Sequence, residues 1–333
     1  MHGMTLPENP IPTSRCMNKT GYFSHGDCRK HEMGAGHPEC PERLDAIEDR
    51  LLASGVGDVL DRREAAPASL ADIELAHDRM FVASLRGLSD TLREELAAGG
   101  PAHAQIDPDT SINVFTWDAA LRGAGLALAA TDAVIAGELE NAFCAVRPPG
   151  HHARHDQAMG FCFLNNVAIA ARYALERHGL QRVAIVDFDV HHGNGTEDIV
   201  AGDDRILMVS FYQHPLYPYG GARSDASNLV NLPVPAYTKG TAIRELVESA
   251  WIPRLEAHRP EMIFISAGFD AHLEDDLGQL GLVEQDFAWI TDRIKDVARR
   301  HSGKRIVSCL EGGYNLSALG RSVEAHLRVL ADV

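Results

Sequence analysis

No two cysteines in this sequence are separated by two residues. The six that occur, Cys16, Cys28, Cys40, Cys144, Cys162 and Cys309, follow no regular spacing, so neither a zinc ribbon nor a disulfide framework is indicated. Reduced thiols in a cytoplasmic enzyme are the expectation. The N-terminal stretch MHGMTLPENPIPTSRC has no basic segment followed by an apolar one, and no uninterrupted apolar run approaches the ~18 residues of a membrane span. Linkers rich in Gly, Ser or Pro, internal repeats and low-complexity tracts are also missing. One domain over residues 1–333 is therefore expected, with 1–20 as an extended N-terminal segment. Basic side chains are in the minority, 31 against 47 acidic ones, for a formal net charge of −16. That balance argues against nucleic acid or anionic membrane as the main partner and suits a cationic one; it leaves an oligomer open.

What the chain does contain is ample material for a core, 45% hydrophobic residues against 23% charged in a length of 333. From about residue 117 helical and strand-like segments alternate, the pattern of β-α units stacked around a parallel sheet. Helices are expected over Trp117 to Gly137, Val167 to His178, Ile243 to Ala257, Glu284 to His301 and Ala318 to Leu330. Strands are expected at Ala142 to Val146, from Val183, at Ile206 to Ser210, Met262 to Ser266 and Arg305 to Leu310. Before residue 117 the reading is sparser: a helix at Glu42 to Ala53, and surface loops around a rim from Ala97 to Asn113.

Every polar cluster of interest follows one of these strands: RPPGHH, DFDVHHGNG, SFYQHPLYPYGG, SAGFDAH and LEGGYN. In open α/β sheets ligands bind outside the carboxyl ends of the strands, so the five loops should converge on one pocket. Asp189 and His191, one residue apart, project from the same side of an extended chain, and Asp270 could supply a third ligand. One imidazole and two carboxylates leave a position open for water; zinc is the first expectation, with ferrous iron, cobalt or manganese also compatible. His151 and His152 follow the rigid Pro148-Pro149-Gly150 turn and could divide acid and base work between them. Asp187, buried and anionic, must meet a histidine proton or a second cation. The Tyr314 hydroxyl, on a loop freed by Gly312 and Gly313, could donate to a developing oxyanion.

Taken together with GFCFLNN and the N-terminal GHPECPERL, these motifs resemble the histone deacetylase family, which includes acetylpolyamine amidohydrolases and acetoin-utilisation proteins. Asn194 and Leu277 resemble the class II branch, where class I members carry aspartate and methionine. The resemblance implies an arginase-deacetylase fold, a single α/β domain with a central parallel sheet of about eight strands. It implies Asp189, His191 and Asp270 as ligands of one Zn2+, His151 and His152 as the catalytic pair, and Tyr314 as the group that polarises the carbonyl. Phe161 and Tyr217 match the aromatic walls of a narrow acyl-lysine tunnel, with Gly160, Leu277 and Gly312 among the substrate-binding positions. Asp187, Ser210 and Phe211 match a structural K+ site, and Arg43 an internal acetate route. Asp109 is either a substrate-backbone contact or a plain turn residue.

The implied activity is hydrolysis of N-acetyl-lysine amides in proteins or peptides, with release of acetate. Alternatives are an acetylpolyamine or other small acyl-amine amidohydrolase, an arginase-like binuclear manganese hydrolase, and a non-enzymatic acyl-ligand binder. Polyamine selectivity would call for an acidic residue at the tunnel mouth, where Leu277 is apolar; Glu274, Asp275 and Asp276 nearby read as a solvated acidic turn. With neutral Asn194 as its partner, His152 should be less readily protonated than it would be beside an aspartate.

Overall fold

Eight short strands form one sheet, and every neighbouring pair in it runs parallel. The computed structural model describes residues 19–220 and 225–333. Most of the expected N-terminal extension, Cys16 and the last glycine of HPLYPYGG lie outside these residues. In chain order the strands are β1 (Thr20–Phe23), β2 (Leu60–Arg63), the separate hairpin β3 (His103–Gln105) and β4 (Ser111–Asn113), then β5 (Asn141–Cys144), β6 (Val183–Asp187), β7 (Ile206–Gln213), β8 (Leu229–Val234), β9 (Met262–Ala267) and β10 (Ile306–Leu310). Their spatial order in the sheet is β2-β1-β5-β10-β9-β6-β7-β8. The five strands whose ends carry the polar motifs, β5, β10, β9, β6 and β7, are thus immediate neighbours. That adjacency is what gathers the loops.

The inner strands read as continuous apolar runs because both faces are covered; β5, β6, β7, β9 and β10 are buried along their whole length. Side-chain alternation along β5 shows the covering. Cys144 Sγ points to the Leu126 carbonyl of helix α4 (Thr116–Ile135), whereas Asn141 Nδ2 and the Phe143 ring meet Leu330 and His326 of helix α10 (Leu316–Ala331), so these helices lie on opposite faces. Helices α1 (Glu42–Ser54) and α9 (Glu284–His301) pack beside α10, and α5 (Asn166–Glu176) beside α4. Among the described residues no helix is long and apolar enough to cross a membrane. The five described cysteines, all but Cys16, are free.

The helices and strands expected beyond residue 117 are all present within a few residues. The stretch from 97 to 113 differs from the loop expected there: it holds the β3–β4 hairpin, and a 19-residue helix, α3 (Arg79–Ala97), precedes it, capped by the Asp78 carboxylate on the Met80 and Phe81 amides. Strands β1, β2 and β8 were not expected either, and each has a local reason. β1 is four residues long and includes Gly21, whose missing Cβ makes room for Leu139 and Phe23. β2 and β8 are edge strands; charged Asp61, Arg62 and Arg63, and Pro233 with no N–H to donate, are what an edge tolerates and a central strand does not.

Candidate active site

The ends of β6 and β9 bring Asp189, His191 and Asp270 together. His191 Nδ1 lies 3.0 Å from Asp189 Oδ1 and 3.1 Å from Asp270 Oδ2, and one donor atom from each residue falls within 4.8 Å of the others. Donors about 2.1 Å from one tetrahedral ion stand roughly 3.4 Å apart, so the spacing fits a single small cation. Asp189 and Asp270 are fully buried, a placement that demands a compensating positive charge. Burial and the neighbouring Asp189 charge push the Asp270 carboxyl up to about 7, and two carboxylates outweigh burial to raise His191 to about 10. Positive charge is therefore favoured at this point, as a proton on His191 or as a bound cation. The backbone shapes the cradle: the Val190 amide donates to Asp270 Oδ1 (2.9 Å), the Gly312 amide to Asp189 Oδ2 (2.9 Å), and a Cβ on Gly268 or Gly312 would collide with these carboxylates. Gly312 thus sits against the carboxylates of the triad.

The loop after β5 sets two imidazoles against this cluster, with ring centroids 4.0 Å apart. His151 Nδ1 meets Asp187 Oδ2 at 3.1 Å and its Nε2 lies 3.8 Å from Asp189 Oδ2. Burial pushes its pKa down, but the Asp189 and Asp187 charges prevail and hold it well above the usual histidine value. His152 Nδ1 is 2.7 Å from Asn194 Oδ1, a neutral partner. Burial, together with repulsion from His151 and His191, keeps it well below the usual value, against a smaller upward pull from the Asn194 hydrogen bond. Two adjacent imidazoles thus differ in protonation: His151 favours the cation and His152 the neutral ring.

His152, His191 and Tyr314 also line a cavity of about 260 Å³ whose walls include Gly160, Phe161, Tyr217 and Leu277. The Phe161 ring stands edge-on to Tyr314 at 5.9 Å and Tyr217 edge-on to His152 at 5.1 Å. Gly160 adopts φ +56°, and a Cβ there would lie 2.6 Å from His152 Cδ2 and 2.9 Å from Tyr217 Cε1. Half-buried Asp109 and exposed Tyr219 also line the cavity. Burial and the nearby Asp270 charge hold the Tyr314 phenol well above its usual pKa, so it remains a hydrogen-bond donor. Arg43 lies behind it, with its guanidinium 5.0 Å from the Tyr314 ring centroid and its Nε donating to the Gly313 carbonyl. Ser210 pairs in register with Asp187 on β6 and β7, next to Phe211, and its hydroxyl donates to Asn231 Oδ1.

Several supporting residues carried no role in the sequence reading. Glu311, fully buried at the end of β10, accepts the Gly150 amide (2.6 Å) and the His151 amide (3.0 Å) on one oxygen and the Ser266 hydroxyl (3.0 Å) on the other. The same reasoning that flags Asp187, a charge ending a buried strand, would have found it. Asp275 is 6% exposed and engaged by three backbone amides, so the solvated acidic turn expected there is corrected for this residue, whereas Glu274, in a surface pair with Arg321, and Asp276 are exposed as expected; no spacing signals the difference. The buried Glu39, held by Arg43 and Arg147, braces the entrance segment from within.

A family model for the histone deacetylase domain matches residues 37–330, and the chain belongs to that family. It is a histone deacetylase-family amidohydrolase built on the arginase-deacetylase fold. A histone deacetylase-like amidohydrolase from Pseudomonas aeruginosa is 40% identical over 288 residues, which are 84% of this chain and 73% of that protein. A probable deacetylase from Archaeoglobus fulgidus is 37% identical over 305 residues, 89% of this chain and 82% of its own. Among solved structures, the crystal structure of the HDA15 HD domain superimposes with a TM-score of 0.87 at 31% identity, covering 95% of this chain and 90% of that one.

Proposed function

We propose that the protein is a zinc-dependent deacetylase that hydrolyses the amide of N-acetyl-lysine in proteins or peptides. The observation that carries the reading is the single cavity in which an aromatic-walled passage ends on His152, His191 and Tyr314. Asp189, His191 and Asp270 would hold the zinc, which when bound supplies Lewis acidity for the acyl carbonyl and acidifies a water. Neutral His152 takes a proton from the attacking water, and His151, held toward the cation by Asp189 and Asp187, electrostatically favours the charge that develops. The Tyr314 hydroxyl donates to the carbonyl oxygen as it becomes an oxyanion. The departing amine leaves with a proton from the histidine pair. A structural K+ at Asp187, Ser210 and Phe211 belongs to the same proposal, supported by the in-register placement of Asp187 and Ser210.

Two observations favour acetyl-lysine over acetylated polyamines. The cavity wall offers apolar Leu277, and the buried Asp275 is consumed by three backbone amides; Glu274 and Asp276 are exposed, and Asp109, the acid among the lining residues, accepts the Thr110 hydroxyl. A second metal would find HHGNG already engaged, since His192 Nε2 meets Glu197 Oε2 at 2.9 Å and Asn194 holds His152. Zinc-loaded protein should therefore release acetate from an acetyl-lysine peptide faster than from acetylspermidine, with one zinc per chain by elemental analysis. Tyr314→Phe should keep the zinc and lose about 10²–10³ in kcat. Two metals per chain, or preference for the polyamine, would replace this reading.

A further inference from the structure

Tyr314 is placed by its backbone, and that backbone needs to be held. It follows two glycines, the second at φ +120°, a stretch with many alternative paths. Three anchors fix it. The Gly312 amide donates to Asp189, the Gly313 carbonyl accepts from Arg43 Nε at 2.7 Å, and the Tyr314 and Asn315 amides both donate to Asp275 Oδ2, at 2.6 and 3.0 Å. The other Asp275 oxygen accepts the Leu277 amide at 3.0 Å. One buried carboxylate thus joins the loop that carries the phenol to the residue that lines the cavity wall. Both oxygens of this carboxylate are taken by backbone amides, and a charge-assisted bond to an amide is among the stronger anchors a loop can have. Asn315 strengthens the junction: its Nδ2 donates to the Glu274 carbonyl and its Oδ1 caps helix α10 on the Ala318 amide.

We propose that Asp275 is a positioning residue that sets the Tyr314 hydroxyl over the reacting carbonyl and keeps it in register with the Leu277 wall. The inference rests on the reading of Tyr314 as oxyanion donor, and a residue acting only through Tyr314 has a distinctive signature. Its removal lowers the rate in the wild type and has no further effect once the phenol is gone.

The test is a double-mutant cycle of Asp275→Ala and Tyr314→Phe on zinc-loaded protein with an acetyl-lysine peptide. D275A should lose about a hundredfold in kcat, the scale of a misplaced catalytic group, with KM and zinc content held within about twofold. The double variant should be no slower than Y314F by more than about twofold. Hydrogen exchange should show the Tyr314, Asn315 and Leu277 amides losing protection in D275A while the β10 amides keep theirs. Asp275→Asn keeps one oxygen for the Tyr314 and Asn315 amides and serves if D275A fails to fold; its smaller loss should likewise vanish in the Y314F background. Multiplicative losses in the cycle, or a D275A or D275N enzyme as fast as wild type, overturn the role of Asp275. Wild-type turnover by Y314F removes the reading of Tyr314 itself, and this inference with it.

Discussion

Glu311 offers the sharpest measure of how the histidine loop is held. Replacing it with alanine removes the acceptor of the Gly150 and His151 amides; the Ser266 hydroxyl can rotate to another partner, but the amides cannot. A buried amide stranded in this way costs about 1–3 kcal/mol, so Glu311→Ala should destabilise by about 2–6 kcal/mol. At roughly 2.1 cal/mol/K of unfolding entropy per residue, the 333-residue chain loses about 0.7 kcal/mol per degree, which puts the fall in midpoint at about 3–9 °C. Glu311→Gln keeps an oxygen for both amides and turns its NH2 toward Ser266 Oγ, which can accept as well as donate. Its loss should stay near 1 kcal/mol, about 1–2 °C. Thermal melts of matched zinc-loaded preparations decide the matter, with kcat measured alongside; E311A should also be about a hundredfold slower because both imidazoles ride on the released loop. An alanine variant that melts within a degree of wild type, or a glutamine variant that falls as far as alanine, would show that the clamp is not what holds the loop.

The same carboxyl gives a pH dependence of known sign. Burial pushes Glu311 up to about 7 from an ordinary 4.5, and a carboxyl raised by folding loses its stability contribution as pH climbs through that window. Wild type should therefore lose stability relative to E311Q between pH 4.5 and 7; parallel stability curves would refute the shift. Chelation should lower the melting midpoint, and zinc should restore it, by about 2.7 kcal/mol when free metal is about a hundred times its Kd; a melt indifferent to chelator would argue against a cation at Asp189, His191 and Asp270. Gly160→Ala should retain zinc and lose about tenfold or more in kcat/KM, since its Cβ would press on His152 and Tyr217. Full activity in that variant would mean the wall yields.

Much of this architecture can be read from the sequence where one element decides one feature. Central strands are legible because burial on both faces turns them into apolar runs, and the loops that follow them are legible because charge there is expensive without a purpose. Asp187, Asp189 and His191 announce themselves in that way. The edge strands β2 and β8 do not, because their charges and Pro233 are indistinguishable in sequence from a loop. Asp275 escapes for a different reason: its neighbours Glu274 and Asp276 make an acidic run that looks solvated, and only the approach of the Tyr314 loop, some forty residues away, turns it inward. Partnerships made across the sheet are tertiary facts and leave no periodicity behind.

β10 sits near the middle of the sheet, between β5 and β9, yet among the eight described strands of that sheet it is the last to leave the ribosome. Until residues 306–310 emerge, the nascent chain can assemble only two half-sheets, β2-β1-β5 and β9-β6-β7-β8, each with an open edge facing the gap. A premature stop shortly before this strand would leave those edges exposed and prone to pair with other molecules, so such truncations should appear in the cell as aggregates rather than as folded, inactive protein.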